Sequence, residues 1–164
     1  MNHALLSKIY DRQQENRDRL VDELNDLVEN NQFDEGEQAK IAKKLLVLLI
    51  DETNDAVFES VLNLLGGIYA SGICVNAIAS NIAGFINTLK PESLVHAIPI
   101  IAESNLPEKR KLLEPFLNSS HPAIDVQKNN LRANLCYRPF ENKLYKLPIE
   151  IMKLSKLPCI RKPI

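Results

Sequence analysis

The chain has 164 residues, 45% of them hydrophobic and 25% charged, with a formal net charge of −1. That length suits one domain with a substantial core. The longest apolar run, Leu45 to Ile50, is six residues, far short of the roughly 18 that a membrane span needs, and no basic region followed by an apolar block marks a signal peptide at the N-terminus.

Cys74, Cys136 and Cys159 are odd in number and lack CxxC spacing, which argues against a disulfide framework and for a reducing, cytoplasmic setting. The near-zero net charge hides an asymmetry. Residues 1–55 carry 13 acids and 7 bases, residues 56–135 carry six of each, and residues 136–164 carry two acids and seven bases. Such a separation points to an electrostatic partner or an intramolecular clasp.

In chain order, Leu5, Leu6 and Ile9 predict one short amphipathic helix. Residues 11–19 have no apolar member and are either a solvated helix or a break. Leu20, Leu24, Leu27 and Val28 form the next stripe, which Asn30-Asn31 ends. Asp34 is placed to cap a third helix, with Glu35 and Glu37 favourable near its positive end. The buried face of that helix is Ala42, Leu45, Leu46 and Leu49, with Lys40, Lys43 and Lys44 facing water.

Thr53 to Leu89 is the clearest stretch, two apolar patterns back to back. Val57, Val61, Leu64, Leu65 and Ile68 form one helix face, and Val75, Ile78, Ile82, Phe85, Ile86 and Leu89 the other. Thr53 or Asn54 caps the first, and Ala70-Ser71-Gly72 is a tight turn between them. Gly66 and Gly67, inside the first pattern, read as a close helix contact or an early fray. Cys74 reads as a buried small hydrophobe within the second helix. Pro91 opens the next helix at its first turn, with Leu94, Val95, Ile98, Ile101 and Ala102 inward and Pro99 predicting a kink. A further helix follows Leu106-Pro107-Glu108, with Leu112, Leu113, Phe116 and Leu117 inward. The last runs from Pro122 to about Asn134, with Ile124, Leu131 and Leu135 inward. Four prolines then interrupt a basic tail over 136–164, read as mostly irregular.

The fold class that follows is all-α, with a helical domain over 1–135. Asn54-Asp55-Ala56-Val57 and His121-Pro122-Ala123-Ile124 occupy equivalent helix starts 67 residues apart, about two repeats, with Pro91-Glu92-Ser93-Leu94 between them. Paired helices at this period mark an α-solenoid. On these starts and the interior prolines, Asp34 to Leu135 resembles a short HEAT-repeat protein. Phe58 and Asp125 stand near the place of the arginine usual in that family, so no regular Asp–Arg ladder is expected. An irregular helical bundle is the alternative architecture.

No Gly-x-Ser-x-Gly, P-loop or Gly-x-Gly-x-x-Gly is present. Glu92 and His96 have an i, i+4 spacing that can hold a metal, but HExxH and a second Glu-x-x-His are absent, so they read as an exposed pair. Lys109-Arg110-Lys111 reads as a solvated first turn. No catalytic residue, metal or cofactor is assigned, and neither direct nucleic-acid binding nor membrane binding is expected. The HEAT-like resemblance implies a protein-binding role and is similar to that of bacterial immunity proteins of the contact-dependent growth inhibition type, which neutralise a toxin. The basic surface of a nuclease toxin would require an acidic ridge. The alternatives are a HEAT-like adaptor or scaffold, and a nucleic-acid-processing enzyme on a helical-repeat scaffold.

In a stack of helix pairs the second helices line one ridge. Here they span 54–70, 92–104 and 122–134. Opposite their core stripes stand Asp55, Glu59 and Asn63; Glu92, His96 and Glu103; and Asp125 and Asn129. These eight positions hold five carboxylates and no Lys or Arg, and they are the candidate partner-binding residues. Since helical period stops at Leu135, deletion of 144–164 is expected to leave helix content nearly intact by circular dichroism. An unfolded truncation would place the tail in the core.

Overall fold

The computed structural model describes residues 3–125 together with 127, 128 and 131. Among the described residues there is no strand, and the fold is all-α. The helices are α1 (His3–Tyr10), α2 (Arg17–Glu29), α3 (Glu35–Asp51), α4 (Asp55–Ala70), α5 (Val75–Phe85), α6 (Pro91–Glu103), α7 (Lys109–Leu117) and α8 (Pro122–Asp125), with a 3₁₀ turn at Ile86–Thr88. The tail over 136–164, the expected helix beyond Asp125 except residues 127, 128 and 131, Cys136 and Cys159 lie outside the described residues.

Local chemistry sets the helix ends. Asp34 and Glu37 form a reciprocal capping box on α3: the Glu37 N–H donates to Asp34 Oδ1 at 2.8 Å, and the Asp34 N–H to Glu37 Oε2 at 3.3 Å. Asn54 Oδ1 accepts from the N–H groups of Ala56 and Val57 and starts α4. Two helices stop by the same device. After α2, Asn31 is left-handed (φ 55°), its N–H reaches Val28 O and the Gln32 N–H reaches Leu27 O. After α4, Gly72 takes φ 81°, its N–H reaches Tyr69 O and the Ile73 N–H reaches Ile68 O. Both are Schellman closures, which satisfy the orphan carbonyls of a last turn. Pro91 occupies the first turn of α6, where no N–H is needed.

The expected core faces are largely the observed ones. Leu46, Leu49, Val61, Leu65, Ile78, Ile82, Ile98 and Leu131 are buried, whereas Phe116 is half-buried on the short α7. Of the two alternatives for residues 11–19, the break is observed, over 11–16 between α1 and α2. Three readings change. The α2 stripe is rotated, with Val21, Leu24 and Val28 buried and Leu20 and Leu27 only partly so. Cys74 precedes α5 in a left-handed conformation (φ 53°) and is half-buried rather than a core residue within the helix. Lys109 is not solvated, because its Nζ donates to Ala102 O and Ser104 O at the end of α6, where carbonyls lack helical donors and a cation is favourable.

Helix packing proceeds in pairs. The helices α1 and α2, α3 and α4, and α5 and α6 pack as successive hairpins. The even helices contact one another in order, α2 on α4, α4 on α6 and α6 on α8, and α3 meets α5 in the other layer. The last pair departs from this order, since α7 and α8 both pack on α6. Gly66 and Gly67 are neither a fray nor a forced close contact. The helix continues through them to Ala70, and a Cβ added at either would meet its nearest neighbour at 3.8 and 3.7 Å, an ordinary distance. Each still costs about 1 kcal/mol against Ala in helix propensity.

A buried ion pair joins the first two hairpins. Arg17 and Glu52 side chains are only 6% and 3% exposed, with Nη2 and Oε2 at 2.6 Å and Nη1 and Oε1 at 3.3 Å. Arg17 Nε also donates to Ile9 O at 2.6 Å, and Glu52 Oε1 accepts from the N–H groups of Thr53 and Asn54. Burial pushes the Glu52 carboxyl up, but the Arg17 hydrogen bonds and charge, with the two backbone donors, outweigh it and hold the carboxyl below the usual glutamate range.

Two outcomes follow for stability. Leu65→Ala and Ile82→Ala, at sites fully removed from water, should each cost about 2–5 kcal/mol by urea unfolding. A loss under about 1 kcal/mol at both would mean these faces do not form the core. Glu52→Ala should cost about 3–5 kcal/mol at neutral pH, because it leaves Arg17 buried without its counter-charge. A carboxyl with a depressed folded-state pKa contributes stability in full above its unfolded pKa, about 4.3 for an ordinary glutamate, and loses it as pH falls through the folded value. The gap between parent and variant should therefore narrow below about pH 4; a gap independent of pH would contradict the pairing.

Candidate functional site

The even helices turn one face outward. On α4, Glu59, Asn63, Gly66, Gly67 and Ala70 recur at helical spacing on the side away from Val57, Val61 and Leu65. On α6, Glu92, His96, Pro99 and Glu103 do the same opposite Leu94, Ile98 and Ile101. Packing these faces side by side leaves two shallow grooves. One, of 260 Å³, runs between α4 and α6 and is lined by Leu62, Asn63, Gly66, Gly67, Tyr69, Ala70, Val95, His96, Pro99, Ile100 and Glu103. The other, of 320 Å³, spans α2, α4 and α6 and is lined by Asp22, Ala56, Glu59, Ser60, Asn63 and His96. Asn63 and His96 border both, so the grooves adjoin.

Four of the eight candidate residues therefore border these grooves: Glu59, Asn63, His96 and Glu103. Asp55 and Glu92 are exposed but outside them, and Asp55 is paired with Lys90. Asp125 is paired with Lys128 at 2.6 Å, and Asn129 lies outside the described residues. The basic partners at Asp55 and Asp125 come from the loop before α6 and from three residues beyond Asp125, so counting charges on the ridge positions alone overstates the acidity there. His96 does not couple to Glu92 along its own helix. Its Nε2 lies 3.7 Å from Glu59 Oε1 across the helix interface, a long, half-exposed contact that contributes little to stability.

Among the groove residues absent from the candidate set are Asp22, Gly66, Gly67 and Tyr69. In the sequence Asp22 belongs, with Glu29 and Glu37, to the acidic helices that are the alternative interface to the ridge; the packing of α2 on α4 brings it to the same groove as Glu59. Tyr69 is buried at the end of the first groove, and burial, then the negative charge of Glu103, raise its hydroxyl pKa. Among the described residues lining the two grooves, Asp22, Glu59 and Glu103 are carboxylates and none is Lys or Arg.

A larger polar cavity, 530 Å³, lies between the α1–α2 and α3–α4 loops over Arg12, Arg17 and Glu52. Three of its five charged side chains are engaged within the fold, since Arg17 and Glu52 hold each other and Arg12 Nη2 donates to Asp51 O at 2.9 Å, and Glu15 and Asp18 complete the charged lining. It reads as the open side of a structural clasp. Among the described residues no cluster of three or more His, Cys, Asp or Glu is placed to hold a metal, and no helix is long and apolar enough to cross a membrane.

No family model matches the chain, and no curated protein and no solved structure matches it.

Proposed function

We propose that the chain is a non-catalytic protein-binding module whose α2–α4–α6 face docks a basic protein. In its most specific form the reading is a cytoplasmic bacterial immunity protein that binds and neutralises a toxin, preferentially a nuclease. The observation that carries the docking reading is the lining of the two adjoining grooves, with three carboxylates and no Lys or Arg. A long-range field of one sign steers an oppositely charged partner and fixes its register. The succession of α2, α4, α6 and α8 supports the HEAT-like element of the reading, because stacked helix pairs present such extended surfaces. The toxin-directed element rests on the resemblance of the helix starts and on charge. An adaptor would use the same ridge for a different partner. An enzyme acting on nucleic acid suits these grooves poorly, since phosphate contacts require Lys or Arg.

The test is charge reversal on the full chain. A basic partner captured by the parent should associate quickly at low salt and more slowly as ionic strength rises. Asp22→Lys with Glu59→Lys should abolish that association and leave the thermal melt within about 0.5 kcal/mol of the parent, because Asp22 is exposed and Glu59 half-exposed. A reversed variant that holds the partner as tightly as the parent would remove the ridge as the interface.

A further inference from the structure

The α4–α6 groove has a feature that acidity does not explain. Its α4 wall is bare backbone at Gly66 and Gly67, the twelfth and thirteenth residues of a sixteen-residue helix. Glycine there disfavours the helix, yet packing does not require it, since a Cβ at Gly66 would meet only the Cδ1 of Ile100 at 3.8 Å. What a Cβ would take away is groove depth. The facing wall carries Pro99, which has no N–H and so leaves the Val95 carbonyl without its helical donor. Leu62, Ala70, Val95, Pro99 and Ile100 give it an apolar stretch, and the exposed carboxylate of Glu103 stands at one end beside Tyr69. At the other end the groove opens past Asn63 and His96 toward Glu59.

A groove with an apolar stretch that ends in a carboxylate matches a side chain with an aliphatic stem and a cationic head. We infer that this groove receives one lysine or arginine side chain of the partner, its stem over Gly66, Gly67 and Pro99 and its head at Glu103. The volume, 260 Å³, is below the roughly 300–1,000 Å³ of small-molecule sites and suits a single side chain. The inference rests on the docking reading above and adds the anchor within it.

The probes are acetyl-tetralysine amide and the same peptide built from 2,4-diaminobutyric acid, which has equal charge and two fewer methylenes per side chain. Each is titrated into the full chain at low salt and pH 6.5, followed by amide NMR shifts. Tetralysine is expected to bind at least fivefold tighter, to move the Gly66 and Gly67 amides, and to weaken at least fivefold with Glu103→Gln. Gly66→Ala should melt at or above the parent while erasing the preference for the longer stem. If both peptides bind equally and Asp22→Lys with Glu59→Lys abolishes both, the acidic ridge stands and the anchor groove is wrong. If an uncharged norleucine-containing peptide matches tetralysine at Gly66 and Gly67, the groove takes an apolar residue and the cationic assignment is overturned. If neither basic peptide binds, the docking reading falls together with the anchor.

Discussion

The architecture depends on the pairing of Arg17 with Glu52. Arg17 is the first residue of α2 and Glu52 the first after α3, so one buried contact joins the loop inside the first hairpin to the loop inside the second. Each partner does more than neutralise the other. The guanidinium also ties down the end of α1 through Ile9 O, and the carboxylate organises the backbone that leads into α4. Burying two charges is costly, and a pair of this kind contributes more to a unique arrangement than to net stability when every donor and acceptor around it is satisfied. Here the guanidinium makes three hydrogen bonds and the carboxylate accepts four. The arrangement the pair specifies is α2 against α4, the packing that places Asp22 beside Glu59 and Asn63.

The same interval recurs along the chain. Arg17 to Glu52, Ala39 to Cys74 and Asp55 to Lys90 are each contacts between residues 35 apart. A helix pair with its two turns occupies about that length, so equivalent points of neighbouring pairs fall together. The three contacts differ in chemistry: a buried ion pair, a thiol near a carbonyl and an exposed Lys–Asp pair. The spacing is therefore shared while the residue types are not. The interval ends at α7, where a nine-residue helix and a four-residue α8 both rest on α6.

The outward face of α4 departs from what stability alone would select. Helix propensity favours alanine at Gly66 and Gly67, and the surrounding atoms leave room for it. Residues that disfavour their own element without a packing reason are the ones for which a functional reason is sought. On α6 the facing Pro99 is a second such residue. Both departures lie in one groove, whereas the inward faces of the same two helices follow the apolar period at Val57, Val61, Leu65, Leu94, Ile98 and Ile101.

The sequence by itself determined the all-α class, most helix boundaries and the core faces. These are local properties: the apolar period of a helix, the capping box at Asp34, the amide cap at Asn54, proline at the start of α6 and glycine after α4 all act within a few residues. It also identified Glu59, Asn63, His96 and Glu103 as outward-facing, because a residue opposite a core stripe must face away from the core. Tertiary structure alone decided which helices stand side by side, and hence that Arg17 is buried against Glu52, that His96 approaches Glu59 rather than Glu92, that Lys109 caps α6, and that Asp22 borders the same groove as Glu59. Each of these contacts joins residues on different helices or across a loop, and helical period carries no information about which faces meet. The grooves are of that kind too: Gly66, Gly67 and Pro99 read as local irregularities along the chain, and they become one feature only when α4 and α6 are packed together.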